Sequence, residues 1–180
     1  MYTLAIDPSF TGTGLALYKD HTLLKTSKVG KVGAVKSQID HLHEVCHYIV
    51  SCINDFLDIP KDSQFSVAIE YPVYQTPSGA LLATLSGWLS HFFCSNSQCI
   101  KVVFIPPLAV NSFTNNRSRT KTHIVQYVRL NNLISSKVSH DEATAICLAQ
   151  IFFSIESGSY KHSYFLIEPP KLSSNTPSKH

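Results

Sequence analysis

The sequence predicts an α/β domain built on a sheet of mixed strand direction. Three observations lead there. Short alternating segments cluster at the N-terminus as an antiparallel meander. Two nearly continuous apolar runs follow, at residues 65–70 and 100–105, of the kind buried on both faces of a sheet. Segments with helical periodicity lie between and after them. The 180 residues fit one domain, and 44% apolar against 15% charged residues is the balance of a folded chain.

Residues 2–6 alternate Leu and Ile with small residues and end at Asp7-Pro8. A turn rich in Gly and Thr covers 9–14. Segments 15–18 and 22–28 complete the meander, and 31–35 is a basic loop. A helix is predicted over 36–57, where Ile39, Leu42, Cys46, Ile49, Val50, Ile53 and Phe56 share one face and Pro60 stops the run. FSVAIE at 65–70 is a strand that ends on the carboxylate of Glu70. Ser78 caps a helix that reaches residue 94. Its Leu81, Leu82, Leu85, Trp88, Leu89, Phe92 and Phe93 make it apolar nearly all round, so it is buried or packs against a partner. The strand at 100–105 closes on Pro106-Pro107, and 111–120 reads as a polar loop. An amphipathic helix over 121–133 turns Ile124, Val125 and Val128 inward. Ser139 or Asp141 opens the last helix, through about residue 153. From residue 161 the chain turns to Ser, Pro, Lys and His. The expected organisation is a domain over 1–158 and a C-terminal segment over 159–180, in large part a loose tail.

Several classes fall away on composition. No apolar run reaches the roughly 18 residues of a membrane span. Asp7 follows the start almost at once, so a secretory signal is not expected. Cys46, Cys52, Cys94, Cys99 and Cys147 are odd in number and form no CxxC pair, as for reduced thiols in a cytoplasmic protein. A nucleoid or viral replication site would suit the same chemistry. The charge is uneven. Between Tyr71 and His140 there is no Asp or Glu, while Lys101, Arg117, Arg119, Lys121, Arg129 and Lys137 make the stretch +6 and leave −3 for the rest. Such a segment suits a polyanion, since phosphates attract Lys and Arg and release counterions on binding.

Three carboxylates stand at element ends. Asp7 closes the first strand, Glu70 closes the central one, and Asp141, with Glu142 beside it, begins the last helix. Converging acids repel one another unless a cation sits between them, and hard oxygen donors suit Mg²⁺ or Mn²⁺. Two such ions roughly 3.5–4 Å apart can hold a phosphodiester, activate water and stabilise the leaving oxygen. Each acid also has a plainer use: Asp7 before Pro8 and Ser9 forms turns, and Asp141 can cap its helix.

Four blocks in order over residues 1–155 resemble the RuvC-type Holliday junction resolvases: LAIDPSFTGTGLAL, VAIEYPVYQTPSGALLATLSGWL, SFTNNRSRTKTHIVQYV and SHDEATAICLAQ. In the first, Thr13 and Gly14 hold the family's Thr-Gly positions. In the second, Gly87 matches a glycine inside the helix. In the third, Lys121 takes the lysine position. The resemblance implies an RNase H-like fold, a mixed five-stranded sheet flanked by helices. It implies that Asp7, Glu70 and Asp141 bind two catalytic Mg²⁺ or Mn²⁺ ions, that Lys121 stabilises the scissile phosphate, and that a homodimer nicks a four-way DNA junction symmetrically. The greasy helix at 78–94 would then supply the dimer surface. Arg117 and Arg119 would grip flanking phosphates, and Tyr71 or Tyr74 would stack on an unpaired base. His140, beside Asp141, is a candidate acid or base.

The departures are specific. Three residues after Asp141, where the family has a second Asp, stands Thr144; positions i and i+3 share a helical face, so a hydroxyl replaces a charge. In another register Glu142 is the late metal ligand. Asn115 and Arg117 stand for the third block's glycines, and Val110 and Asn111 for an upstream lysine. Two rivals share the fold: a branch- or flap-cutting nuclease of a virus or mobile element, and a catalytically weakened junction-binding protein. An actin-like or sugar-kinase-like ATPase, suggested by Asp-x-x-x-x-Gly-Thr-Gly, needs a duplicated domain and a second glycine-rich loop. Seven glycines and 180 residues leave no room for them.

Overall fold

A computed structural model describes residues 1–30, 42–72, 77–116, 120–134, 137–160 and 164–167. The elements are β1 (Tyr2–Asp7), β2 (Thr13–Lys19), β3 (Thr22–Val29), α1 (Leu42–Leu57), β4 (Phe65–Glu70), α2 (Pro77–Cys94), β5 (Cys99–Ile105), α3 (Pro107–Phe113), α4 (Lys121–Leu130), α5 (His140–Glu156) and β6 (Phe165–Ile167). The strands form one mixed sheet in the order β3-β2-β1-β4-β5-β6. The meander β1–β3 is antiparallel, β1, β4 and β5 run parallel, and β6 returns antiparallel beside β5.

Strand alternation sorts side chains between two cores. Leu4 and Ile6 of β1, Leu15 and Leu17 of β2, and Val67 and Ile69 of β4 face α1 and α2, meeting Ile49, Ile53, Leu85, Leu89 and Phe93. The opposite face carries small residues: Ala5, Ala16 and Ala68. Against them lies α5, with Ala143, Ala145 and Ala149 in the same core as Ile146, Leu148 and Phe152. Alanine on both sides brings the helix close to the sheet. Asp7 has the parity of Ala5, and Glu70 that of Ala68, so both acids point to the face that α5 covers.

The sheet has six strands where five are expected. The apolar run 165–167, inside a stretch dominated by Ser, Pro, Lys and His, pairs with β5, with Phe104 opposite Phe165 and Val102 opposite Ile167. The polar loop expected over 111–120 begins later, because Pro107 starts a short helix, α3, that runs through Phe113. Proline is well placed there, since the first turn of a helix has no use for its missing N–H. The helix predicted over 121–133 ends at Leu130, and residues 31–41 of the first predicted helix and its basic loop lie outside the described residues. So does most of the tail. Helix α2 buries Leu85, Leu89 and Phe93 and leaves Leu81, Leu82, Trp88 and Phe92 half-buried. Among the described residues no helix is long and apolar enough to cross a membrane.

Candidate metal centre

Parallel pairing sets two of the acids side by side. Ile6 is opposite Ile69 in the β1–β4 register, so Asp7 and Glu70 leave adjacent strand ends. Their carboxyls are close enough that each shifts the titration of the other. Burial, then the charges of Glu70 and Asp141, push the Asp7 carboxyl well above its ordinary range. Burial lifts Glu70 to about 7. The neighbouring Thr144 hydroxyl pulls Asp7 the other way.

The third acid comes from α5, whose seat is built by local chemistry. Ser139 is its N-cap in a capping box: the Ser139 hydroxyl accepts from the Glu142 N–H, and the Glu142 carboxylate accepts from the Ser139 N–H at 2.9 Å. Glu142 also accepts from the Ser139 hydroxyl at 2.7 Å and from Thr26 of β3 at 2.9 Å. Its oxygens are thus taken up by the helix cap and the sheet, away from Asp7. In the register that makes Glu142 the late ligand, its carboxylate would have to leave these partners. Gly14 of β2 lies directly beneath the same turn; a Cβ there would stand 2.1 Å from the Asp141 carbonyl oxygen. Thr13 is buried and ties the preceding turn, donating from its hydroxyl to the Ser9 carbonyl at 2.8 Å. The Thr-Gly pair therefore clamps the turn and lets the helix approach.

One oxygen or nitrogen each from Asp7, His140 and Asp141 lie within 4.8 Å of one another. His140 was placed by sequence as an acid or base, and the structure adds it to the possible ligands. Burial lowers its pKa, so the ring is neutral at pH 7. Its Nδ1 is 3.5 Å from Asp141 Oδ1. Thr144 is buried and donates to the His140 carbonyl at 3.1 Å. Asp7, Glu70, Asp141, His140, Thr144 and Lys121 all line one open cleft of about 340 Å³, with Pro107, Val110 and Asn111 of α3 on its wall. Converging carboxyls, an imidazole and a hydroxyl are hard donors that fit a divalent cation.

The predicted contact residues divide. Lys121 opens α4 and is exposed at the cleft. Tyr71 is half-buried, its ring edge-on to Phe104 at 6.1 Å between centroids, the packing of a core-facing loop residue. It is not splayed out as a stacking platform. Arg117, Arg119 and Tyr74 lie outside the described residues. Asn115 takes the place of a family glycine with φ of +52°, a left-handed conformation that Asn tolerates better than most residues. The next residue, Asn116, is buried and bridges the loop, donating to the Thr120 carbonyl at 3.0 Å and accepting from the Thr120 N–H at 3.2 Å.

Sequence reasoning missed Lys28. Its ammonium is 2.6 Å from Asp141 Oδ2, a pairing across most of the chain that no spacing announces. The reading that the remaining histidines form no HxxxH pair is wrong: His43 and His47 stand four residues apart on α1. Their rings are 4.4 Å apart and both meet Trp88, on the α1–α2 side of the sheet, opposite the acids.

No protein-family model matches the chain, and no curated protein matches it by sequence. Solved structures do match. Thermus thermophilus RuvC in complex with a Holliday junction substrate has a TM-score of 0.61 at 16% identity, covering 89% of this chain and 98% of that one. A second Thermus thermophilus RuvC structure gives 0.53 at 20% identity, covering 89% and 99%. The human cytomegalovirus terminase nuclease domain gives 0.37 at 15%, covering 89% and 87%. The chain thus has the RNase H-like α/β fold expected from its sequence.

Proposed function

We propose that this protein is a divalent-metal-dependent endonuclease that cuts four-way DNA junctions by paired symmetric nicks. The observation that carries the reading is the meeting of Asp7, Glu70 and Asp141, from three distant elements, in one cleft. The fold is shared with a RuvC solved on a Holliday junction substrate, which supports branched DNA as the ligand.

Asp7, Glu70 and Asp141 would hold Mg²⁺ or Mn²⁺, with His140 and the Thr144 hydroxyl beside them. A divalent ion bound there would supply Lewis-acid stabilisation of the phosphate and a more acidic water. Lys121, at the mouth, offsets charge that develops on the phosphate. Arg117 and Arg119, in the loop just before it, grip neighbouring phosphates, and Tyr74 stacks on an exposed base. The catalytic domain spans 1–158, with β6 as an added edge strand. Paired nicks need two sites, so a homodimer is part of the reading; the half-buried Leu81, Leu82, Trp88 and Phe92 of α2 offer an apolar surface for it.

Labelled four-way, flap and linear duplex DNA, incubated with Mg²⁺ and with EDTA, test this directly. The four-way junction should be cut in symmetric pairs only with Mg²⁺. Asp7→Asn should bind the junction and leave it whole. If Asp7→Asn cuts at the normal rate, the metal assignment is wrong. Preferred cutting of the flap would move the protein to a branch nuclease on the same fold. A second reading, a weakened junction-binding protein, is favoured by Thr144, which brings no charge to the cleft. Tight junction binding with no Mg²⁺-dependent cleavage would establish it.

A further inference from the structure

Resting on the metal reading above, we propose that Lys28 is a built-in cation of the acidic site. Its ammonium holds one of the places that a divalent ion would otherwise take, so that the protein binds a single divalent ion and fixes Asp141 in the orientation that receives it.

The sheet aims Lys28 at this spot. In the β2–β3 register Lys28 stands opposite Gly14, and Gly14 lies under the first turn of α5. Lys28 and Asp7 therefore share the face that α5 covers. Reaching Asp141 requires a path, and Gly12 provides it. A Cβ at Gly12 would be 2.2 Å from Lys28 Cε and 2.8 Å from its Nζ. The end of the lysine lies across the bare glycine backbone, in space that any side chain would fill.

The two oxygens of Asp141 then have different surroundings. Oδ2 is held by Lys28 at 2.6 Å, while Oδ1 faces His140 Nδ1 at 3.5 Å. A cation cannot approach Oδ2 without displacing an ammonium at hydrogen-bond distance. Oδ1 is the oxygen on the His140 side, and one oxygen of Asp141 groups with Asp7 and His140. Charge points the same way. With the acids ionised, Asp7, Glu70 and Asp141 stand against Lys121 at the cleft and Lys28 on Asp141, a net of −1 that one divalent ion already offsets and a second would overshoot. Thr144, one turn along α5, adds a hydroxyl and no further charge. Lys28 is thus a positioning residue acting through Asp141. Its side chain is 42% exposed, so replacing it removes little packing.

Titration of the purified protein with Mn²⁺, followed by the spectroscopic signal of free Mn²⁺ and by calorimetry, tests the assignment without any cleavage assay. Wild type should saturate at one ion per chain. Lys28→Met, which keeps the length and removes the charge, should take a second. Lys28→Arg should return to one. Circular dichroism of each variant confirms that it is folded. The same stoichiometry and affinity in wild type and Lys28→Met overturns the role of Lys28 and leaves the metal reading standing, as does uptake of two ions by wild type. Absence of saturable Mn²⁺ binding by all of them overturns both.

Discussion

Burial and the closeness of Asp7 and Glu70 make the site sensitive to pH. Both carboxyls are raised in the folded state, Glu70 to about 7. A group whose folded value lies above its unfolded one stabilises most below the unfolded value and loses that contribution as pH rises through the folded one. The metal-free protein should therefore lose stability between about pH 4.5 and about pH 7 on account of Glu70. A divalent cation favours the ionised acids and works in the opposite sense. The rise in melting temperature produced by Mn²⁺ should grow across this range and be much smaller in Asp7→Asn. Thermal melts at a series of pH values check both parts; a Mn²⁺ effect independent of pH would count against an acid site. At this scale the acids were legible in the sequence, because a carboxylate at the end of an apolar strand has few uses in a core. The place of His140 among the possible ligands was not, because a histidine next to an aspartate is as often a surface neighbour. Only the seat of α5 turns its ring towards Asp7.

At the scale of elements, the site depends on how closely α5 sits on β2. Gly14 has backbone of α5 on top of it, at distances no side chain tolerates. Gly14→Ala should push the helix away, cost about 1–3 kcal/mol in stability, and carry Asp141 off with it. Urea denaturation reads the first effect and loss of Mn²⁺ affinity the second. Ser139→Ala should cost about 1 kcal/mol through the lost cap, a useful contrast because it leaves Gly14 and the sheet unchanged. The helix itself was evident from Ser139 and the acids after it. Which acid serves the cap and which the cleft was settled by Thr26, on a strand far away in sequence, which engages Glu142.

Across the whole molecule, the described basic residues of the acid-free stretch from Tyr71 to His140 have different surroundings. The stretch runs through α2 on one side of the sheet, β5 within it, and α3 and α4 on the other. Lys101 is engaged by Glu156 at 2.6 Å, whereas Lys121 stands at the cleft. Junction affinity measured against salt should separate them. Removing a phosphate contact lowers the log–log salt slope by roughly 1. Lys121→Ala should show that drop, and Lys101→Ala should leave the slope unchanged. Equal effects would mean that net charge, and not position, governs binding. The edge strand β6 belongs to this scale too. Three apolar residues carry little periodicity, and the polar composition around them hides a pairing that exists only because β5 offers an open edge.

By itself the sequence determined the class of fold, the order of most elements and the three acids. Those follow from alternation, helical spacing and the residue that ends each run, all properties of neighbouring positions. Tertiary structure alone decided that Lys28 reaches Asp141, that Gly12 and Gly14 are bare because a side chain and a helix lie over them, and that Glu142 turns to β3. Each of these joins residues distant along the chain, and their proximity arises only when β3, β2 and α5 stack on one another.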